Sequence, residues 1–265
     1  MITASPAEAW PSPARLPSPK PKFTKANPLV DSALQIFRHS KYQAIQTLSR
    51  AIELDPGNAE AHFVRAQAYT WLEESELALK DYNNAIYLNP TSWRYYLDRG
   101  SYYQSLNKFP EARKDFDQAI KLEPDLAVAY KNRGRSYVNL KRYDDALSDV
   151  KKAIQLNPQL AAAYLVLGQV QLGQGLYDDA LRSVYKAIGL NLRPEVVPEA
   201  YLALGQAYFG LKSYDRALEN LNKAIDLDQN LAQAYFTRGN AKRAIGDQSG
   251  GEQDIRTAHS KGYKD

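Results

Sequence analysis

A pattern that repeats every 34 residues constrains the fold of this chain more than any other feature. Matching segments begin at positions 59, 93, 127 and 161, then at 198 after a step of 37, and at 232 after a further 34. A unit this short cannot enclose a core of its own, so successive copies must bury their apolar faces against each other. The sequence therefore predicts an array of stacked units.

Within each unit the apolar residues follow the spacing of two α-helices. In the unit that starts at residue 93, Tyr96, Gly100 and Tyr103 fall at i, i+4 and i+7, and Ala112 and Phe116 begin a second such series. A short polar break separates the two series, and a proline follows the second one in most units. We therefore expect an all-α fold, an α-solenoid of about seven helix-turn-helix repeats. The expected units are 25–58, which is divergent, 59–92, 93–126, 127–160, 161–197, 198–231, and 232–265, which is a terminal cap.

Small residues recur where the two helices of a unit would cross. The glycines of this register are Gly100, Gly134, Gly168, Gly205 and Gly239. Alanine recurs at two further places in the second helix, for example at Ala146 and Ala153, and tyrosines such as Tyr137 supply the bulk opposite. Small residues against large ones allow helices to pack closely.

A unit with Tyr-x-x-Arg/Leu-Gly, a following tyrosine, two alanine registers and a closing proline resembles the tetratricopeptide repeat. This pattern covers about 240 of the 265 residues, and six copies in register make it specific. The resemblance implies a right-handed superhelix whose first helices line a concave face. It also implies a role as a scaffold, co-chaperone or assembly factor, without naming a partner.

Arginine occupies one register in four units, and leucine replaces it in two. The arginines are Arg65, Arg99, Arg133 and Arg238, and each is followed 16 residues later by an aspartate. Leu167 and Leu204 are instead followed by Ser183 and Asn220. We predict a structural ion pair between the two helices of each arginine-containing unit. Shared ancestry of the repeats without any contact is the alternative explanation.

Six positions are expected to face the concave groove, because each follows the Tyr or His of its first helix. They are Phe63, Leu97, Lys131, Leu165, Leu202 and Phe236. Trp71 and Phe209, later on the same helices, extend this apolar stripe. Lys131, Asn132 and Arg135 interrupt it. We expect Asn132 to bond the backbone of a bound peptide, and Lys131 and Arg135 to meet a carboxylate. The sequence thus predicts a groove for an extended peptide with apolar side chains and a central acidic group. The alternative is that the apolar residues pack neighbouring helices and the basic residues are solvated.

Three departures from the family pattern carry further expectations. Some members grip a chaperone C-terminal carboxylate with Lys, Asn and Arg spread over three units, whereas here the basic cluster lies within one unit. A chaperone-tail clamp is therefore not expected. The three-residue insertion within residues 190–198 is expected to form a surface loop. Gly250 and Gly251 are expected to interrupt the second helix of the terminal cap.

The residue types of catalytic and metal sites are sparse. The chain has no cysteine, and His39, His62 and His259 lie far apart without a paired spacing. No phosphate-binding glycine loop or nucleophile triad is present. We predict no cofactor, no metal and no enzymatic activity.

The charge of the chain is concentrated at its N-terminus. Of the net charge of +4, residues 1–25 contribute +3, so the repeats are nearly neutral and nucleic-acid binding is not favoured. The proline-rich residues 1–24 predict a disordered basic tail. No apolar run approaches the roughly 18 residues of a membrane span, and a cytoplasmic protein is expected. A protein or peptide ligand is the expected partner. An RNA-binding helical-repeat protein and a stable accessory subunit remain alternatives, and the oligomeric state is open.

Overall fold

The computed structural model describes residues 28–37 and 39–264. The tail predicted for residues 1–24 lies outside this range. The described part of the chain contains fourteen α-helices and one 3-10 turn, with no strand, and the helices form seven successive hairpins. The fold is therefore an α-solenoid of helix-turn-helix units, as the sequence predicts. The helices are α1 (Pro28–Phe37), α2 (Lys41–Leu54), α3 (Ala59–Trp71), α4 (Ser75–Leu88), α5 (Trp93–Ser105), α6 (Phe109–Leu122), α7 (Ala127–Asn139), α8 (Tyr143–Leu156), α9 (Ala161–Gly173), α10 (Tyr177–Gly189), α11 (Val197–Gly210), α12 (Tyr214–Leu227), α13 (Ala232–Ala244) and α14 (Gln248–Ser260).

A residue in the left-handed region of backbone conformation lies within the turn of most hairpins. The series is Glu73, Asn107, Lys141, Gly175, Lys212 and Gly246. Lys141 has a φ of 56° and Gly175 a φ of 75°. This conformation reverses the chain within a few residues, so the short polar breaks of the sequence become tight turns.

The connection between one unit and the next depends on proline and on a polar residue before it. Asn157 ends α8 in an extended conformation, with φ −142° and ψ 92°, because Pro158 disfavours the helical region for the residue that precedes it. The Oδ1 atom of Asn157 accepts a hydrogen bond of 3.0 Å from the backbone N–H of Gln159. The side chain thereby satisfies a backbone donor of the turn that connects α8 to α9.

The small residues lie at the helix crossings, as predicted. Ala146 and Ala153 are fully buried. A Cβ atom added at Gly168 would stand 2.5 Å from Cγ2 of Val184, and one at Gly205 would stand 2.5 Å from Cγ of Leu221. No carbon atom can approach another so closely, so only glycine allows these hairpins to close.

The predicted ion pairs are present in all four units that contain the arginine, which we call the arginine units (59–92, 93–126, 127–160 and 232–265). In each of them the guanidinium donates through Nε and Nη2 to both carboxylate oxygens of the aspartate, as in Arg133 with Asp149 at 2.7 and 2.6 Å. The other three pairs are Arg65–Asp81, Arg99–Asp115 and Arg238–Asp254. The aspartates are buried, so these pairs lie within the packed interface. The prediction of an ion pair inside each unit is confirmed.

The same arginines also bond to the preceding unit, which the sequence analysis missed. Each Nη1 donates to a polar side chain 16 residues earlier, for example from Arg133 to Oδ1 of Asp117 at 2.8 Å. The other acceptors are Ser49, Asn83 and Asn222. For the two leucine units (161–197 and 198–231), the corresponding positions in the preceding unit hold Lys151 and, once the three-residue insertion is allowed for, Tyr185. Each arginine therefore joins three helices. Where leucine replaces the arginine, the aspartate and the acceptor are replaced as well.

The terminal cap differs from the sequence prediction. Gly250 and Gly251 do not interrupt the second helix, because α14 runs without a break from Gln248 to Ser260. Oδ1 of Asp247 accepts a hydrogen bond of 2.9 Å from the backbone N–H of Gly250 and caps the helix. A Cβ atom at Gly251 would meet the carbonyl oxygen of Gly239 at 2.7 Å, so this glycine allows close packing rather than a break.

Candidate peptide-binding groove

The first helices of successive units form one face of the solenoid. α7, α9, α11 and α13 pack on one another from unit to unit, whereas the second helices pack mainly against first helices on either side. Elements that approach each other more closely lie on the inner side of a curved stack. The first helices therefore line the concave face, where repeat solenoids generally bind their partners.

A groove of about 680 Å³ crosses this face over the last four units. Its walls come mainly from the first helices of those units, together with Lys141, Tyr143 and Tyr177 at the hairpin turns and Leu231 and Tyr263 near the C-terminal end. We call this the concave groove. Four of the residues predicted from the sequence line it: Arg135, Phe209, Phe236 and Leu202, the last of which is itself mostly buried in the core. The ring of Phe236 stacks on that of Tyr263 with a centroid distance of 4.3 Å, which fixes an aromatic wall at this end.

Two predicted groove residues belong to the core instead. Phe63 is 1% exposed and its ring packs between those of Tyr82 and Tyr95, at centroid distances of 6.1 and 4.7 Å. Leu165 is 2% exposed and packs with the helices of the next unit. For these two residues the alternative interpretation, packing between helices, is correct. Leu97 is half-buried and does not line the concave groove.

The predicted role of Asn132 as a contact for a peptide backbone is also wrong. Its side chain is buried, and Nδ2 donates to Oγ of Ser101 at 3.1 Å. Its carbonyl accepts a hydrogen bond of 2.9 Å from Gln104, and Nζ of Lys131 donates to its side-chain oxygen. Asn132 therefore joins α5 to α7 within the solenoid.

The basic residues at the centre of the concave face already have an acidic partner. Nη2 of Arg135 on α7 donates to Oε1 of Glu199 on α11 at 2.6 Å, which places an ion pair across α9. The second oxygen of Glu199 is buried and accepts no hydrogen bond from the described residues. Burial and the charges of Arg135 and Arg193 lower the pKa of Lys131 to about 8, against the opposing effect of Glu199. The carboxylate that we expected from a peptide is thus supplied by the chain.

The sequence alone does not indicate this cluster, because the cluster depends on the insertion. Arg193 belongs to residues 190–198, where a 3-10 turn over Pro194–Val196 precedes α11. The effect of Arg193 on Lys131 places it near the concave face, so the insertion contributes charge there as well as forming an exposed loop. No spacing in the sequence could indicate a pair between residues 64 positions apart.

A register of polar side chains on the first helices was also missed, although the 34-residue period contains it. Arg135 is followed at the same place in later units by Gln169, Gln206 and Asn240, and all four line the concave groove. The three amide side chains form no hydrogen bond with the described residues. They therefore present donors and acceptors to the groove, one from each unit.

Trp71 lies away from the concave groove. Its side chain is 70% exposed and borders a separate cavity of about 400 Å³ at the N-terminal end of the same face. The predicted stripe of apolar residues is therefore divided into two sites, with the buried network of Asn132 between them.

Among residues 28–37 and 39–264, His, Asp and Glu do not gather in a group of three that could hold a metal ion. In the same residues, no helix is long and apolar enough to cross a membrane.

Comparison with known proteins agrees with this architecture, which is that of a helical-repeat solenoid. Four family descriptions, three named "Tetratricopeptide repeat" and one "TPR repeat", match residues 42–92, 93–126, 127–160 and 205–246. Together they span more than half of the chain. The chain belongs to the tetratricopeptide repeat family. No curated protein sequence matches it.

Several solved structures share the fold. A tetratricopeptide repeat protein from Parabacteroides merdae aligns with a TM-score of 0.73 and 21% identity over 89% of this chain and 93% of that one. PilW, described as a type IV pilus biogenesis factor, aligns with a TM-score of 0.66 and 21% identity over 78% and 95% of the two chains. PilF from Pseudomonas aeruginosa aligns with a TM-score of 0.64 and 18% identity over 78% and 93%. At these identities the likeness shows the fold alone.

Proposed function

We propose that this protein is a scaffold that binds a segment of a partner protein, a peptide or a helix, in the concave groove. Tetratricopeptide repeats generally mediate protein–protein interactions and complex assembly, and proteins built from them are typically non-enzymatic. The observation that carries the proposal is the series of amides at Gln169, Gln206 and Asn240, which recurs once per unit along the groove without hydrogen-bond partners in the described chain.

The lining of the groove indicates how such a segment would bind. The amide series can exchange hydrogen bonds with the backbone of an extended peptide, which repeats its donors and acceptors regularly. Phe209 and Phe236 offer apolar surface beside the series. At the other end, Arg135 and Glu199 give the groove one group of each charge. An apolar segment with a polar or charged end suits this arrangement.

The test uses peptides selected from a random-sequence display library on the immobilised full chain, with affinities measured by fluorescence anisotropy. Gln206→Trp fills the groove, and we expect it to weaken binding at least about tenfold by excluding the ligand. The matched control is Gln155→Trp, on the exposed surface of α8, which should bind as the wild type does. Equal affinities for the two variants would overturn the proposal.

RNA binding is the second candidate, and the same anisotropy assay separates it. The four recurring arginines are bonded to aspartates within the solenoid, which supports a protein ligand over a phosphate backbone. Salt-dependent binding of a labelled single-stranded RNA would instead favour the RNA alternative. A co-chaperone or assembly-factor role and a cytoplasmic location are finer parts of our proposal. Stoichiometric co-purification with one protein would indicate a stable accessory subunit.

A further inference from the structure

The cavity beside Trp71 has a chemical character different from that of the concave groove. It measures about 400 Å³ and no residue lines both sites. Phe37 of α1 and Trp71 of α3 contribute aromatic rings, and Asp98 and Tyr102 of α5 contribute polar groups. It therefore combines aromatic faces with an acidic interior.

Asp98 is a half-buried carboxylate without a cation. No arginine or lysine of the described residues lies within ion-pair distance of it, whereas the four aspartates of the arginine units each have a bidentate partner. Its Oδ2 atom accepts a hydrogen bond of 2.7 Å from Gln67, and Oδ1 accepts none from the described chain. The charge of Arg94 lowers the pKa of Asp98, but Arg94 forms its ion pair with Glu60 instead, at 3.7 Å. A carboxylate held in this way gains much from an added cation.

Two hydroxyl groups of the cavity leave further hydrogen-bonding capacity. Tyr102 is 6% exposed, and its hydroxyl is buried without a hydrogen-bond partner among the described residues. Oγ of Ser105 donates to the carbonyl of Tyr102 at 2.8 Å, so its lone pairs remain available. A buried hydroxyl without a partner is costly, and a ligand that donates hydrogen bonds would relieve this cost. The cavity therefore suits a ligand rich in donors.

The aromatic side of the cavity already holds a cation from the chain itself. Nζ of Lys41 lies 5.5 Å from the centre of the Trp71 ring and 5.9 Å from that of Phe37. Lys41 forms no ion pair with Asp98, so the carboxylate remains available. The position of Lys41 demonstrates that these rings can receive positive charge.

We propose that this cavity binds the guanidinium group of an arginine side chain from a partner protein. A guanidinium carries five N–H donors and no acceptor, which matches the free oxygens of Asp98, Tyr102 and Ser105. Its planar group forks onto a carboxylate and stacks flat on an aromatic ring such as Trp71, whereas an ammonium can lie over a ring but has no planar fork. The site lies beyond the concave groove and does not depend on the function proposed for it.

The test titrates the isotope-labelled full chain with N-acetyl-arginine methylamide and follows the Trp71 indole N–H and the Ser101 amide by NMR. N-acetyl-citrulline methylamide is the control ligand, because it has the same shape without the charge. We expect saturable shifts with the arginine compound and affinity at least about tenfold weaker for citrulline. Equal affinity for citrulline would overturn the proposal, and so would equal affinity for the corresponding lysine compound.

Protein variants complete the test. Asp98→Asn keeps the shape of the side chain and should weaken arginine binding at least about tenfold. Asp226→Asn, on the exposed surface of α12, is the matched control and should leave it unchanged. Circular dichroism confirms that both variants remain helical, and undiminished binding by helical Asp98→Asn would contradict the proposal. Gln206→Trp should bind arginine normally, so failure here and failure of the groove proposal are distinguishable.

Discussion

The arginine units and the leucine units fill the same position of the hairpin with opposite chemistry. In an arginine unit, one guanidinium joins an aspartate of its own unit to an acceptor of the preceding one. In the leucine units, Leu204 is 1% exposed, and the buried Ser183 and Asn220 bond locally to Gln171 and to the carbonyl of Arg216. The arginine units therefore need the arginine, the aspartate and the acceptor together, because a buried charge without its partners is strongly unfavourable.

The largest expected effect comes from removing the arginine from one set of arginine, aspartate and acceptor. Arg133→Leu leaves Asp149 buried without its cation, and we expect it to lower the free energy of unfolding by about 3 to 5 kcal/mol. Arg133→Leu with Asp149→Ser copies the leucine unit 161–197 and should recover most of the loss. Urea unfolding followed by circular dichroism measures both. A double variant no more stable than the single one, or a coupling energy below about 0.3 kcal/mol in the full cycle, would contradict a functional pair.

The converse experiment places the arginine set in a leucine unit. Leu167→Arg alone should destabilise the protein by about 1 to 3 kcal/mol, because the new charge has no acid and faces Lys151. Adding Ser183→Asp supplies the acid, and adding Lys151→Asn removes the like charge and supplies the acceptor. We expect stability to rise at each step. If Lys151→Asn brings no further gain, the acceptor register is not part of the set.

These pairs could be predicted from the sequence because they are local and repeated. The two helices of a hairpin have a fixed relation, so the spacing of Arg133 and Asp149 recurs in every arginine unit and the period reveals it. The acceptor register follows the same period and was predictable in principle. The amide series of Gln169, Gln206 and Asn240 belongs to the same class.

The remaining features depend on how units approach one another. The pair of Arg135 with Glu199 joins helices two units apart and follows an insertion that no other unit contains. The burial of Asn132 depends on contact with Ser101 of the preceding unit. Hydrophobic spacing identifies a helix face, but it does not determine which residues of that face the neighbouring helix covers. Part of the candidate site therefore required the structure.

Asp98 differs from the four aspartates of the arginine units because it has no arginine as an ion-pair partner among the described residues. Burial raises its pKa above the usual value, against the effects of Gln67 and Arg94. Because the pKa is raised in the folded state, protonated Asp98 favours folding relative to charged Asp98. This contribution is complete below the unfolded-state pKa and is lost as pH rises through the folded-state pKa. Asp98→Asn cannot titrate, so we expect it to raise the melting temperature at pH 7 and to lose this advantage in acid. Melting curves across the carboxylate range measure the difference.

The pKa of Asp254 is shifted in the direction opposite to that of Asp98. Burial raises its pKa, but the hydrogen bonds from Arg238 and Lys242 outweigh burial and hold the pKa below the usual value. Its contribution is therefore present above the unfolded-state pKa and lost as pH falls through the folded one. Asp254→Asn should lower the melting temperature at pH 7, with a smaller effect in acid. Asp115 and Asp149 have one arginine each, and burial still raises the pKa of both, so the second cation sets Asp254 apart. Responses of the same sign for Asp98→Asn and Asp254→Asn at pH 7 would contradict this contrast between a carboxylate without an ion pair and one with two.

The smallest expected effect concerns the turns, where an arginine unit has Lys141 and the following leucine unit has Gly175. Both residues have positive φ, which L side chains rarely adopt. Lys141→Gly should therefore raise the free energy of unfolding by up to about 1 kcal/mol, and Gly175→Ala should lower it similarly. A Cβ atom at Gly175 meets no other atom within 4 Å, so crowding cannot explain a loss. Gly189→Ala is the control, since its site is equally open and Gly189 ends helix α10 without positive φ. If Gly175→Ala and Gly189→Ala change the urea midpoint alike, backbone strain at the turn does not explain the loss of stability. Lys212 and Gly246 show that glycine and lysine at this position do not follow the two kinds of unit, so those units differ in their packed interiors.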